Sequence, residues 1–211
     1  MKIQIATILA TAAAALLVPS IAHAEERKGW AAADFELLPS GSIEANFVGG
    51  NTTTVSTDTA YGIGIVAENE LNPMVTVGLA PRYIFNVIDK NSNGDAAKEL
   101  DLRARVTAGA MLIPKLRVYG FAEPGYSIIF LPDTVRINNE TVHPNGFVIG
   151  AGGGARFALS SSLSAVFELG YQWGFQSWSW TGTVLGTQVT VNGDDKVNYL
   201  QLGFGLAAAV D

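Results

Sequence analysis

The 211-residue sequence contains no cysteine, which excludes disulfide bonds, thiol catalysis and lipid attachment through an N-terminal cysteine. Charged residues are few, at 15%, and acidic residues outnumber basic ones 19 to 13, for a formal net charge of -6. Nucleic-acid binding requires clustered lysine and arginine, so this balance argues against such a partner. Beyond the N-terminal segment, no uninterrupted apolar run approaches the roughly 20 residues that a membrane-spanning helix requires.

The one long apolar stretch lies at the start of the chain. It covers residues 3–18, follows Lys2 and precedes the small-residue motif Ala22-His23-Ala24. A basic start, a short apolar core and an A-x-A motif are typical of a cleaved export signal. The sequence therefore predicts a signal peptide over residues 1–24 and one mature domain over residues 25–211. An uncleaved N-terminal anchor is the alternative interpretation.

The mature sequence is rich in segments in which apolar and polar residues alternate. In segment 74–87, for example, Val75, Val77 and Leu79 alternate with smaller or more polar residues, and this period of two predicts a β-strand. The predicted strands are 35–47, 57–67, 74–87, 99–112, 116–130, 146–157, 163–178 and 197–209. Strands of ten residues or more suit a tilted crossing of a bilayer, which takes about 9–11 residues.

The connections between these strands alternate in length. The short ones are 68–73, 113–115 and 160–162, and the long polar ones are 48–56, 88–98, 131–145 and 179–196. Short turns at one end (the turn side) and long loops at the other (the loop side) describe a membrane barrel. The sequence therefore predicts an all-β fold, an eight-stranded antiparallel up-and-down transmembrane β-barrel. A soluble periplasmic ligand-binding barrel is an alternative, and it requires Val75, Val77 and Leu79 to face inward.

Aromatic residues concentrate near the ends of the predicted strands, as in the two interfacial girdles of membrane barrels. The loop-side set is Tyr83, Phe85, Tyr126, Phe130, Tyr171, Trp173, Trp178 and Trp180, and the turn-side set is Phe157, Phe167 and Phe204. Packing of strand-favoured aromatics in an ordinary core is the alternative interpretation.

The same alternation places charged side chains on the inward face. The lumen of an eight-stranded barrel is just wide enough for its own side chains, and an unpaired buried charge costs several kcal/mol, so these charges should pair. The predicted lumen salt-bridge network is Glu44, Arg82, Arg103, Arg117, Glu123, Arg156 and Glu168. This network favours a plugged lumen and a structural or surface-interaction role. The alternative is a narrow pore or a conduit for small or apolar solutes, lined by Gly150, Gly152 and Gly203.

Over nearly all of its mature length the chain resembles the small eight-stranded bacterial outer-membrane β-barrel proteins of the outer-membrane protein A and X type. Segment 199–206 resembles the terminal strand of such barrels. The resemblance implies a location in the cell outer membrane of a Gram-negative envelope and a lumenal salt-bridge cluster built by the residues named above. We expect membrane lipid and the outer-membrane assembly machinery as partners, no nucleic acid, and a monomer.

One loop has the spacing of a calcium ligand set, D-x-[DN]-x-[DN]-G. Its candidate ligands are Asp89, Asn91, Asn93 and Asp95. The twelfth position of this motif is Leu100 instead of the usual glutamate, so an ordinary polar loop is the favoured interpretation. His143 is the one histidine after the signal, and nothing in the sequence orients it as a catalytic base. We therefore expect no enzyme activity, no metal and no cofactor.

Overall fold

The computed structural model describes residues 29–47, 52–87, 96–131, 136–137, 140–141, 143–184 and 187–210. The predicted signal peptide and the candidate calcium ligands Asp89, Asn91, Asn93 and Asp95 lie outside the described residues. The strands are β1 Gly29–Phe47, β2 Thr52–Thr57, β3 Ala60–Asn72, β4 Val75–Leu79, β5 Arg82–Val87, β6 Ala97–Ile113, β7 Leu116–Phe130, β8 Arg136–Ile137, β9 Glu140–Thr141, β10 Asn145–Ala158, β11 Leu163–Val184 and β12 Thr187–Val210. The described part of the chain contains no helix long and apolar enough to cross a membrane.

The strands close into a ring, and every pairing among the described strands is antiparallel. Strand β1 pairs with β12 on one side and with β3 on the other, which joins the two ends of the sheet. The order around the ring is β1, β3, the interrupted strand β4–β5, β6, β7, β10, β11 and β12. Strand β2 extends the wall on the loop side by pairing with β1, and β8 pairs with β9. These eight positions confirm the predicted eight-stranded antiparallel barrel.

The outer face of this ring is apolar. Ile63, Leu102, Phe167 and Leu169 each expose 54–55% of their surface, whereas Arg103, next to Leu102, exposes 2%. A belt of exposed large hydrophobic residues around a closed barrel is stable in lipid and unfavourable in water. The belt and the fold confirm the predicted transmembrane barrel.

The alternative of a soluble barrel is wrong, because it requires the apolar face of segment 74–87 to point inward. Leu79 is instead 46% exposed on the outer face, and its neighbours on the opposite face, Ala80 and Arg82, are buried.

A bulge in β1 reverses the alternation on the loop side. The register of β1 with β12 shifts by one residue between Leu37 and Ser40. Beyond the shift, Ile43 lies opposite the buried Val197 and packs against the lumenal apolar cluster. The alternation in predicted strand 35–47 places Ile43 outward and Glu44 inward. Both orientations are wrong, since one extra residue exchanges the two faces of a strand.

A second irregularity lies near the loop-side end of β5. Asn86 has φ = 60°, in the left-handed region that asparagine tolerates better than most residues. The register with β6 shifts between Ile84 and Val87, and Val87 turns inward, where it is 4% exposed. The period of two in segment 74–87 predicts Val87 on the outward face with Val75, Val77 and Leu79, and this orientation is wrong because of the shift. Val87 instead packs with Leu38 and Ile129 at the loop side of the lumen.

Candidate functional site

The lumen is the candidate functional site, because it gathers the charged side chains of the barrel strands. At the turn side, Glu70 accepts a hydrogen bond from the indole Nε1 of Trp30 at 3.2 Å, and the Arg117 guanidinium lies 3.7 Å from the same carboxylate. The guanidinium carbon of Arg156 lies 4.2 Å from the centroid of the Trp30 ring, a cation–π contact. These residues form the turn-side mouth of the barrel.

Arg105 on β6 is the next layer and bonds three carboxylates at once. Its Nε lies 2.8 Å from Glu68 on β3, and its terminal nitrogens donate to Glu123 on β7 and Glu168 on β11. The Tyr119 hydroxyl donates to Glu168 at 2.6 Å. One buried guanidinium therefore connects four strands of the ring across the lumen.

Glu123 is the centre of the network and is fully buried. It accepts a hydrogen bond from Arg82 at 2.5 Å, a longer one from Arg103 at 3.4 Å, and a third from Arg105. The Nε of Arg82 also lies 2.8 Å from Glu36 on β1. Three arginines thus share one carboxylate, and each of the three has a further carboxylate partner.

Toward the loop side, amide and hydroxyl groups join the ionic contacts, and apolar side chains follow them. Arg103 donates to Asp101 and, at 2.5 Å, to Gln172. Gln172 and Ser127 both donate to Glu99, at 3.0 and 2.8 Å. Beyond them lies the lumenal apolar cluster, formed by Leu38, Ala60, Ile84, Val87, Ala97, Ile129, Val197 and Tyr199.

The glycines of β10 make room for this filling. A Cβ atom on Gly150 would lie 3.0 Å from Arg103, one on Gly152 would lie 2.6 Å from the Phe121 ring, and one on Gly154 would lie 2.7 Å from the Tyr119 ring. Side chains of other strands therefore occupy the space that the missing side chains leave. Two of these glycines, Gly150 and Gly152, are also lining residues of the pore that the sequence analysis gives as the alternative.

The structure brings six of the seven predicted network residues into the lumen: Arg82, Arg103, Arg117, Glu123, Arg156 and Glu168. Glu44 lies apart from them because of the β1 bulge, so its assignment to the network is wrong. It lies opposite Thr54 and Lys196, beyond the apolar belt, and accepts a hydrogen bond from Lys196 at 2.9 Å. This hydrogen bond lowers the pKa of the Glu44 carboxyl.

The predicted network omitted five ionic members that the structure shows: Glu36, Glu68, Glu70, Asp101 and Arg105. Asp101 and Arg105 are already inward by the alternation of the sequence, and the same alternation in β1 could have identified Glu36. Glu68 falls in the predicted short connection 68–73, but β3 continues to Asn72 and carries Glu68 into the lumen.

The loop-side aromatic girdle is only partly as predicted. Tyr126, Tyr171 and Trp173 expose 38–48% of their surface on the lipid face. Trp178 and Trp180 instead alternate in phase with the buried Gln176, and Trp180 is only 5% exposed. Their assignment to the lipid girdle is wrong, because β11 continues beyond the membrane and keeps these two rings on its inward face.

No family model matches the sequence, and no curated protein matches it. Solved structures share the fold. The outer membrane protein OprG from Pseudomonas aeruginosa is 15% identical, with a TM-score of 0.65 over 87% of this chain and 96% of that one. Neisserial surface protein A is 14% identical, with a TM-score of 0.46 over 85% of this chain and 96% of that one. A major outer membrane protein from Thermus thermophilus is 16% identical, with a TM-score of 0.46 over 84% of this chain and 99% of that one. The likeness to OprG confirms the fold of a small outer-membrane barrel.

Proposed function

We propose that this outer-membrane barrel is a non-enzymatic structural and surface-interaction protein whose lumen is sealed. The observation that supports the proposal is the continuous column of buried side chains along the lumen. Arg103, Glu123, Gln172 and Tyr199 are all fully buried, although they lie at successive levels. An eight-stranded barrel has no room for an aqueous channel beside such a filling.

The seal has two parts in series. The polar part is the ionic network around Arg105 and Glu123, which satisfies its charges within the lumen. The apolar part is the lumenal apolar cluster, in which Ile84 and Tyr199 are fully buried. Water and ions would have to displace both parts to cross the barrel, so opening one part alone leaves the other closed.

The two-part seal is tested by conductance in planar bilayers. We expect no steady conductance from the wild-type barrel, from Arg105→Ala/Glu168→Ala, or from Ile84→Ala/Tyr199→Ala. The first variant removes an oppositely charged pair, which keeps the lumen neutral relative to wild type, and the second opens the apolar part. The quadruple variant should conduct. Steady wild-type conductance, or conductance in either double variant alone, contradicts the proposal.

One observation favours a lateral conduit for apolar solutes as a second candidate. Pro124 of β7 has no backbone N–H, and the β6–β7 ladder passes from Arg103/Gly125 to Val106/Ala122 without the pairs between them. Pro81 interrupts the neighbouring strand between β4 and β5. The wall is therefore weakened on the β7 side of β6, whereas on the other side the Ala80 amide still donates to the Arg103 carbonyl oxygen at 2.9 Å.

The variant Pro124→Ala, which regains a backbone donor, tests this second candidate. If the barrel conducts apolar solutes through its wall, an apolar fluorescent probe should enter vesicles that contain the variant more slowly than vesicles that contain the wild type. Equal rates for the variant and the wild type favour the sealed structural barrel.

A further inference from the structure

Strands β11 and β12 continue beyond the barrel as a two-stranded ribbon. Strand β10 begins opposite Ser177, and β1 ends opposite Gly193. Past these points the ladder runs from Trp178/Gly193 to Val184/Thr187, with the two strands paired to each other. The ribbon, defined as residues 177–184 and 187–194, therefore stands on the external, loop side of the membrane.

A cleft of about 510 Å³ lies between the ribbon and residues 143–145. Its walls include His143, Asn145, Trp178, Trp180, Asn192 and Asp194. Small-molecule sites typically have volumes of roughly 300–1,000 Å³, so the cleft is large enough for one. The network in the lumen uses none of these side chains.

The Trp178 ring is held in place before any ligand arrives. Gly193 lies opposite it in the ladder, and a Cβ atom on this glycine would overlap the ring, so the indole rests on the bare backbone. Asp195 accepts a hydrogen bond from the Trp178 side chain, which fixes the ring orientation. The result is a preorganised aromatic surface on one wall of the cleft.

Trp180 adds a second aromatic wall with an unmet hydrogen-bonding group. The residue is 5% exposed, and its Nε1 has no hydrogen-bond partner within the described part of the chain. A buried donor without an acceptor costs free energy, because it has lost its hydrogen bonds to water. A ligand oxygen reached by a small adjustment of the ring would relieve this cost.

From this cleft we propose that the protein binds a neutral saccharide on its external face. The apolar C–H face of a sugar ring fits against an indole, while Asn145, Asn192 and Asp194 can bond its hydroxyl groups. Asp194 and the adjacent Asp195 disfavour sulfated or phosphorylated sugars. The amide and hydroxyl groups of the walls favour a sugar over a quaternary ammonium ion, which offers no hydrogen bonds.

This inference deepens the proposed surface role and rests on it, but not on the sealed lumen, which bilayer conductance tests separately. The assay uses the full mature barrel refolded in a zwitterionic detergent without a sugar headgroup. The chain has four tryptophans, so the indole N–H region of an NMR spectrum reports each one. Trp→Phe variants assign the peaks, and lipid-facing Trp173 and turn-side Trp30 serve as internal controls.

Titration with maltotriose, cellotriose or mannotriose should shift the Trp178 and Trp180 peaks and leave those of Trp173 and Trp30 in place. Trp178→Ala and Asp194→Ala should each weaken this binding at least about tenfold, the equivalent of about 1.4 kcal/mol. Trp173→Phe should leave the affinity unchanged, and the heat-modifiable migration of folded barrels in gels verifies that each variant folds.

The proposal is overturned if none of the three probes shifts the Trp178 and Trp180 peaks, or if all four indole peaks move together. It is equally overturned if choline or glucose 6-phosphate binds the cleft more tightly than the neutral probes. Retained affinity in folded Trp178→Ala and Asp194→Ala would place any binding elsewhere and overturn it as well.

Discussion

Replacement of Glu123 by leucine should destabilise the barrel more than any other single carboxylate change in the lumen. Its carboxylate is fully buried and shared by Arg82, Arg103 and Arg105. Removing one member of a buried ionic cluster leaves charge uncompensated and typically costs about 3–5 kcal/mol. We expect Glu123→Leu to lower the free energy of unfolding by about this amount.

The expected loss of stability in a series of carboxylate variants depends on how many ionic partners each substitution leaves in place. Arg105 retains Glu68 and Glu123 when Glu168 is lost, so Glu168→Leu should cost less, about 1.5–3 kcal/mol for one charged hydrogen-bonding partner. Glu123→Gln keeps the shape and one acceptor and should fall between wild type and Glu123→Leu. Glu44→Leu, at the partly exposed position outside the network, should leave the stability close to that of the wild type, as surface substitutions usually do.

The assay is reversible urea unfolding in lipid vesicles, followed by tryptophan fluorescence at equal protein and lipid concentrations. Equal midpoints for Glu123→Leu and Glu44→Leu would refute the reasoning, because they would show that Glu123 is solvated. If the free energy of unfolding depends less steeply on urea concentration in one variant, the compactness of its folded or unfolded state has changed. This slope is compared separately from the midpoint.

Three further predictions concern the wall, the loop side and the glycines. In a variant that retains only Trp173, which is 39% exposed on the outer face, brominated lipid should quench fluorescence, and the absence of quenching would contradict the membrane orientation. The lowered pKa of Glu44 means that its bond to Lys196 contributes stability above the ordinary carboxyl pKa and loses it as pH falls through the folded pKa. Carboxyl NMR titration should show this pKa returning toward its ordinary value in Lys196→Met. Gly152→Val should prevent folding, because its Cβ atom would overlap the Leu169 carbonyl oxygen, whereas Gly120→Ala, whose Cβ atom would meet only the Gly152 carbonyl oxygen at 3.6 Å, should fold normally in the gel-shift assay.

The alternation of residues was sufficient to predict the ring of eight strands and the side of the wall that faces lipid. It failed where a strand gains a residue, as between Leu37 and Ser40. The proline there indicates an interruption of the strand, but the pattern does not show how many extra residues the interruption contains. It failed again at Asn86, since a left-handed φ at a non-glycine residue has no reliable sequence signal. Both errors lie on the loop side, and together they exchanged Glu44, Ile43 and Val87 between the two faces.

The pairing within the lumen could not be predicted from sequence, because inward alternation identifies the residues but not their height in the barrel. Height depends on strand tilt and on register, and a shift of two residues keeps the face while changing every partner. Arg105 illustrates this dependence, since its carboxylates come from three other strands at positions distant in sequence.

The distribution of charge explains how a chain with only 15% charged residues can place so many of them inside a membrane. Arg82, Arg103, Arg105, Arg117 and Arg156 all lie in the lumen, where each meets a carboxylate of another strand. Apolar residues cover the outer face because it contacts lipid, so the polar and charged side chains lie in the lumen and stabilise the barrel there. The glycines of β10 have no side chains to fill this space, so Tyr119, Phe121 and Arg103 can extend across the narrow lumen. A barrel of this kind is stabilised from within by ion pairs that depend on one another, and the sealed lumen that we propose follows from that stabilisation.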